Sequence, residues 1–318
     1  MNKTLYIILP CYNEEEVLPE TIKVLNSKLK ELIKNKKISK DSKVLFINDG
    51  SKDDTWNIIK ETSSKNDLFT GVSLSHNVGQ QKALLAGYMV AKEHADVVVS
   101  MDTDLQDDIS VIDEMIEKYN EGSDIIYGVR SSRDTDTWFK RNTALFFYKL
   151  VKKLGIEIVY NHAEYRLVTK RVLDCLSNYK EVNLFLRGIF PLIGFKSDIV
   201  YYRRLPRTAG KTKYPLNKLL STAWEGITSF SIEPIKLILN LGIITSIISF
   251  VLMIIFLVSS IINADFDTLI FIAISIYLSL GVILLSIGII GEYIGKTYIE
   301  SKHRPRYIVS ENLLEQKK

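Results

Sequence analysis

With 318 residues, of which 47% are hydrophobic and 25% charged, the chain is long enough for one globular domain plus a more apolar appendage. A formal net charge of only +4 gives no argument for a nucleic-acid partner. Two cysteines, Cys11 and Cys175, make neither a disulfide framework nor a cysteine metal site, so a reducing compartment is the default.

The amino terminus carries a short apolar run, Leu5 to Pro10, followed by Glu14, Glu15 and Glu16, which is the wrong composition for a signal peptide. The first domain is therefore expected to stay inside the cell. Beyond it, β-rich runs at Leu5–Leu9, Val44–Ile47, Gly71–Leu74, Val97–Met101 and Ile125–Val129 alternate with helical patterns at Glu15–Asn35, Asp54–Ser63, Gln80–Glu93 and Ser110–Tyr119. Such alternation predicts an α/β fold, a mostly parallel Rossmann-like sheet with helices on both faces. Ligands of open α/β sheets bind beyond the carboxyl ends of the strands. The residues there are Pro10 to Glu14, Asn48 to Ser51, Ser75 to Asn77 and Asp102 to Asp104.

Two amphipathic stretches follow, Thr143–Lys153 and Tyr214–Lys236, each pairing large apolar residues with lysines. The second leads directly into an uncharged run and suits a helix lying in a membrane interface; the first reads equally well as a core-facing helix. Leu237 to Ala264 and Thr268 to Gly291 contain no charged side chain. Each exceeds the ~20 residues a helix needs to cross the hydrocarbon core, and a short connector makes them a predicted transmembrane hairpin. The connector holds Asp265 and Asp267 but no Lys or Arg, whereas Lys213, Lys218 and Lys236 precede the spans and Lys296, Lys302, Arg304 and Arg306 follow them. Both termini are thus expected on the cytoplasmic side of a multi-pass inner-membrane protein. The expected division is a catalytic domain over 1–213, a juxtamembrane helix over 214–236, two spans over 237–295 and a basic tail over 296–318.

The strongest chemical signal is Asp102-Thr103-Asp104-Leu105-Gln106 at the end of a continuous apolar strand. Two carboxylates one residue apart, where a buried strand meets a loop, can share a hard divalent cation that also holds two phosphate oxygens. A lone DxD in an acidic loop says little, and its place after the fourth strand is what gives it weight. Asp49, after the second strand, can accept from a base imide or a ribose hydroxyl, with Gly50 admitting a close approach; a turn with Asp53 or Asp54 as helix cap reads equally well there. Arg130, Arg141, Arg166, Arg187, Arg203, Arg204, Arg207, Lys211 and Lys213 populate the later half, where guanidinium groups could hold phosphate. His76 and His162 offer no metal spacing and read as structural.

In order along the chain, Pro10-Cys11-Tyr12-Asn13-Glu14-Glu15, Asn48-Asp49-Gly50-Ser51, Asn77-Val78-Gly79, Asp102 through Asp107, Tyr127-Gly128-Val129-Arg130, Glu164-Tyr165-Arg166-Leu167, Phe185-Leu186-Arg187-Gly188 and Gly210-Lys211-Thr212-Lys213-Tyr214 resemble the GT-A glycosyltransferases of family 2. More narrowly, they are similar to the branch with dolichol-phosphate mannose synthase and the bacterial polyprenyl-phosphate glycosyltransferases of the bactoprenol glucosyltransferase type. The resemblance covers essentially the entire chain. It implies nucleotide contacts for Pro10, Tyr12, Glu14, Asp49 and Asp102, and a Mg2+ or Mn2+ site with the diphosphate at Asp102, Asp104 and Gln106. It implies lipid-phosphate contacts for Arg130, Arg141, Arg207 and Lys213, and a sugar-orienting or base role for Glu164. Three departures stand out: Asn48 and Glu164 where Asp is usual, and Thr212 where Ser is usual.

A phosphate monoester is already anionic at pH 7, so transfer to a lipid phosphate asks for positioning and charge management rather than strong deprotonation. The expected reaction is inverting transfer of a hexose, glucose first, from a UDP-sugar to undecaprenyl phosphate, with Asp104, Glu164 and Arg130 central. UDP-N-acetylglucosamine and GDP-mannose are the alternative donors. A non-catalytic membrane scaffold or sugar-nucleotide sensor is the alternative of another class, and a homo-oligomer is compatible with either.

Overall fold

The structure, a computed structural model, describes residues 3–131, 162–182, 184–204, 233–262 and 268–316. Alternating strands and helices open the chain: β1 (Leu5–Cys11), α1 (Leu18–Lys34), β2 (Lys43–Asn48), α2 (Thr55–Lys65), β3 (Phe69–Leu74), α3 (Gln80–Ala91), β4 (Val97–Ser100), α4 (Val111–Asn120) and β5 (Ile125–Arg130). Each lies where the hydrophobic pattern places it. Then come β6 (His162–Thr169), α5 (Lys170–Leu176), α6 (Leu186–Ile193) and β7 (Ser197–Tyr202). Two long helices, α7 (Glu233–Ile262) and α8 (Thr268–Ser301), precede β8 (Val309–Asn312) and the short α9 (Leu313–Gln316).

The eight strands form one sheet in the order β7-β5-β6-β4-β1-β2-β3-β8. β1, β2, β3 and β4 pair in parallel, as do β5 and β7, whereas β6 runs antiparallel between β4 and β5, and β8 antiparallel along β3. The sheet is therefore mixed.

Burial follows the pleat. Leu5, Ile7 and Leu9 of β1 pack on one face with Leu25 and Leu29 of α1 and Ile112 and Met115 of α4. Tyr6 and Ile8 pack on the other with Leu84, Leu85 and Tyr88 of α3 and Phe190 of α6. Strands buried on both sides have no polar alternation to show, which is why β1, β2 and β4 read as continuous apolar runs.

The antiparallel strand β6 has a consequence for the site. Ser100 of β4 pairs with Arg166, and Val129 of β5 pairs with His162, so the beginning of β6 lies beside the carboxyl ends of its parallel neighbours. Glu164, early in its own strand, thereby arrives at the same rim as Asp102 and Arg130.

Beyond the sheet, α7 and α8 contact one another and expose Ile243, Ile247, Ile255, Ile276, Ile283 and Leu284. Among the described residues, Ser279–Ser301 is one stretch long and apolar enough to cross a bilayer, with a mean hydropathy of 1.5 and none of it buried. Past α8 the chain returns to the sheet. β8 pairs with β3, Leu313 is buried, and Trp56 Nε1 donates to Glu311 Oε2 at 2.9 Å. Residues within the expected 296–318 tail thus extend α8 and add an edge strand to the sheet.

Candidate functional site

The ends of β1 and β2 are bound to each other by short polar contacts. Asp49 N–H donates to the Cys11 carbonyl at 2.8 Å, Asn13 N–H to Ser51 Oγ at 3.0 Å, and Glu14 N–H to Thr55 Oγ1 at 2.9 Å. Asn48 uses both ends of its amide: Oδ1 accepts from Ser51 N–H at 3.1 Å and Nδ2 donates to Ser73 Oγ at 2.9 Å. Asn at the position where Asp is usual thus supplies both a donor and an acceptor to the rim. Gly50 has a φ of +66°, and a Cβ there would meet the Asn77 nitrogen at 2.5 Å, so only glycine fits.

Asp49 is buried, and its two oxygens accept from the backbone N–H groups of Val78 at 2.8 Å and Gly79 at 3.0 Å. It shapes the entry to α3. Burial raises its pKa, while those two bonds and the nearby His76 oppose the rise. A nucleoside contact would come in addition to this work. Tyr12 stands exposed at the same rim, with Pro10 and Glu14 half-buried.

Past β4, burial alternates: Met101, Thr103, Leu105 and Asp107 turn inward, while Asp102, Asp104 and Gln106 stay half-buried. Thr103 anchors the loop, donating through Oγ1 to the Pro10 carbonyl at 2.9 Å and accepting at its own carbonyl from Thr21 Oγ1 at 2.8 Å. Leu105 adopts a φ of +52°, a left-handed conformation uncommon for a branched residue, and such strain concentrates at functional loops. Asp102 Oδ1 accepts from Gln80 Nε2 at 2.7 Å. Burial first, then the negative charges of Asp107, Asp104 and Glu164, push the Asp102 pKa up to about 7, with Arg130 pulling the other way. Partial exposure of the side chain moderates the effect.

Glu164 is 3% exposed. Its Oε1 accepts from Gln81 Nε2 at 2.8 Å and from Arg187 Nε at 2.8 Å, and its Oε2 pairs with the fully buried Arg166. The Arg166 guanidinium lies over the Phe190 ring at 4.7 Å. Gln80 and Gln81, in the first turn of α3, thus connect Asp102 to Glu164, and Gln81 Oε1 also accepts from the Leu186 N–H that opens α6, at 3.0 Å.

Arg130, at the end of β5, donates through Nε to the Tyr202 hydroxyl at 3.3 Å, and the electrostatic influence of Asp102 and Asp107 reaches it. Gln106 Oε1 accepts from Arg204 Nη2 at 2.5 Å. Arg141, Arg207 and Lys213 lie outside the described residues, as do Thr143–Lys153 and most of Tyr214–Lys236.

The rim therefore gathers Asp102, Asp104 and Gln106 from the loop after β4, Arg130 from β5 and Glu164 from β6. Sequence reasoning left Gln80, Gln81, Asp107 and Tyr202 without roles, gave Arg204 only as a member of a basic series, and gave Arg187 as a member of that series and of the motif Phe185-Leu186-Arg187-Gly188 without a role of its own. Asp107 directly follows the acidic motif, and the glutamines directly follow Asn77-Val78-Gly79, so proximity to those motifs was the available signal.

The donor set suits a hard divalent cation. Asp102 and Asp104 repel each other across a half-buried loop, and Asp107 Oδ2 is buried with no hydrogen-bond partner among the described residues. No trio of metal-type side chains meets at ligand distance among the described residues. A cation there would be held by the aspartate pair and complete its shell with ligand oxygens and water, as Mg2+ commonly does. A second, open depression of about 610 Å³ lies between residues 178–181 and the end of α8.

The model of the family described as Glycosyl transferase family 2 matches residues 6–177. The glycosyltransferase YkoT of Bacillus subtilis (strain 168) is 53% identical over 312 residues, covering 97% of this chain and 92% of its own length. A bactoprenol glucosyl transferase of Shigella phage SfV is 39% identical over 318 residues, covering 95% of this chain and 97% of its own. Among solved structures, S. aureus TarS 1-349 in complex with UDP-GlcNAc is similar at a TM-score of 0.46 and 16% identity, over 71% of this chain and 66% of that one.

Proposed function

This chain belongs to glycosyl transferase family 2 and is a glycosyltransferase, and from that footing we propose that it moves one hexose, glucose first, from a UDP-sugar to undecaprenyl phosphate at the cytoplasmic membrane face. The observation that carries the reading is the meeting, at one sheet rim, of an acidic loop bearing Asp102 and Asp104 with Arg130 at the end of β5, two strands from β4 across β6. An acidic pair suits a metal-bound diphosphate, and an arginine suits a phosphate monoester. The bactoprenol glucosyl transferase relative of similar length supports a lipid acceptor.

Asp102 and Asp104 would hold Mg2+ or Mn2+, which supplies charge neutralisation to the departing diphosphate. Gln106 Oε1, which accepts from Arg204 Nη2, keeps a second lone pair with which it could join them. Arg130, joined by Arg141, Arg207 and Lys213, would hold the acceptor phosphate. In the reaction a phosphate oxygen forms a bond to the anomeric carbon while the bond from that carbon to UDP breaks, and in-line displacement inverts the centre. The acceptor is already an anion at pH 7, so no strong base is required.

Glu164 fits this division of labour as an orienting group. Its carboxylate is engaged with two guanidiniums and an amide, which suits fixing Arg187 and Gln81 at the sugar's side of the cleft. Pro10, Tyr12, Glu14 and Asp49 border the place where the nucleoside would lie.

The exposed isoleucines of α7 and α8 support a membrane anchor, and the Lys and Arg that flank these helices, with none in the connector, support a catalytic domain on the cytoplasmic side. A long isoprenoid leaves the bilayer at a cost of roughly 0.8 kcal/mol per CH₂, so the enzyme must bring a water-facing site to the headgroup plane.

The test is a panel of radiolabelled UDP-glucose, UDP-N-acetylglucosamine and GDP-mannose incubated with membranes and undecaprenyl phosphate, scored for lipid-soluble product. Asp104→Ala should lower transfer by on the order of 10³-fold with the thermal midpoint retained. Unchanged turnover in that variant would remove the metal assignment, and no lipid product from any donor would remove the acceptor.

A further inference from the structure

Arg130 is supported from one side by β7. Tyr202 is in register with it across the parallel β5–β7 pair and is 3% exposed. The Tyr202 hydroxyl accepts from Arg130 Nε at 3.3 Å and donates to Asp107 Oδ1 at 2.5 Å. Its carbonyl accepts from Ser131 N–H at 2.8 Å and from Ser131 Oγ at 3.0 Å, which holds the end of β5 against fraying. The ring meets Tyr165 edge-on, with centroids 5.4 Å apart, and the Tyr165 hydroxyl donates to the Asp108 carbonyl at 3.0 Å. One cluster thus joins the end of β5, the end of β7 and the back of the acidic loop.

Packing alone does not account for a phenol here. Phenylalanine would fill the same space without the desolvation cost of a buried hydroxyl. What the hydroxyl adds is a two-way link, accepting from a cation while donating to an anion, which neither an amine nor a carboxylate can do. With Nε held, the guanidinium loses torsional freedom, which favours one orientation of its plane for phosphate contact.

We infer that Tyr202, backed by Asp107, is a positioning residue that aims Arg130 at the acceptor phosphate and keeps it in register with the Asp102/Asp104 loop on the donor side. The inference rests on the lipid-phosphate acceptor proposed above. The acidic loop has anchors of its own, Thr103 Oγ1 on the Pro10 carbonyl and the Thr103 carbonyl on Thr21 Oγ1, so loss of the Tyr202 hydroxyl should act on the acceptor more than on the donor.

The test uses the full-length protein in lipid nanodiscs. Tyr202→Phe should lower acceptor kcat/KM about tenfold, as expected for loss of one hydrogen bond to a charged group, mainly through the acceptor KM. The donor KM should stay within about twofold; the ring packing survives, so the variant should fold, with a thermal midpoint lowered by the loss of the donor to buried Asp107. Tyr202→Phe and Arg130→Lys should combine non-additively, since one acts through the other. Additive losses, parallel losses in donor and acceptor, or no loss at all would overturn the inference.

Binding of undecaprenyl phosphate measured without donor separates this inference from the reaction. Wild-type binding that Tyr202→Phe weakens upholds it even if sugar passes to another acceptor, and binding that the variant leaves intact overturns it. A wild-type protein that neither binds nor glycosylates undecaprenyl phosphate removes the acceptor reading and this inference together.

Discussion

Glu164 shows how neighbours assign a carboxylate its work. From the sequence it stands just before an aromatic-Arg-Leu triplet and is open to reading as base or sugar ligand. In the fold it balances the buried Arg166 and also holds Arg187. Removing one partner of a buried pair leaves an uncompensated charge, so Glu164→Gln should destabilise the catalytic domain by about 3–5 kcal/mol, read from its urea midpoint. A midpoint unmoved from wild type would mean that Arg166 finds its balance elsewhere. Asp49 makes a related point: a polar residue at a strand end serves the loop's geometry first, through Val78 and Gly79, and any ligand second.

At the scale of elements, β6 and β8 decide the most. β6 enters antiparallel between β4 and β5 and brings Glu164 to the rim. β8 covers the β3 edge, which would otherwise expose a row of unpaired backbone groups. It also links the end of α8 to the catalytic sheet, so the helices are attached to that domain both before α7 and after α8. Leu313, 7% exposed, anchors the return. Leu313→Ala should cost about 2 kcal/mol, at the low end for a buried leucine because the site lies at the sheet's margin. Trp56 bonds Glu311 beside it, so its fluorescence during denaturant unfolding is a direct probe. An unchanged midpoint would show that β8 adds nothing to the domain's stability.

At the scale of the molecule, a well-packed sheet coexists with two long helices whose isoleucines face outward. Such a surface suits the membrane anchor proposed above. Ile247→Lys combined with Ile255→Lys should cost about 2.5–3.5 kcal/mol per lysine at mid-membrane depth. The double variant should shift from the carbonate-resistant membrane fraction toward aggregates or the soluble fraction. Undiminished retention in membranes would argue that α7 does not meet lipid.

Local pattern alone determined the first five strands and the four helices between them, because each is a continuous apolar run or an amphipathic repeat bounded by turn residues. It also marked the Asp102–Gln106 loop, since a carboxylate pair at the end of a buried strand is written in consecutive residues. What pairs with what was decided only by tertiary structure. β6 and β7 begin in mixed segments such as His162-Ala163-Glu164 and Ser197-Asp198, whose strand character comes from neighbouring ladders rather than from their own composition. Glu164–Arg187 joins β6 to α6, and Arg130–Tyr202–Asp107 joins β5, β7 and the loop after β4. A one-dimensional pattern carries the period of an element, but the partner of a buried charge is fixed by which strand ends the fold brings within about 3 Å of one another.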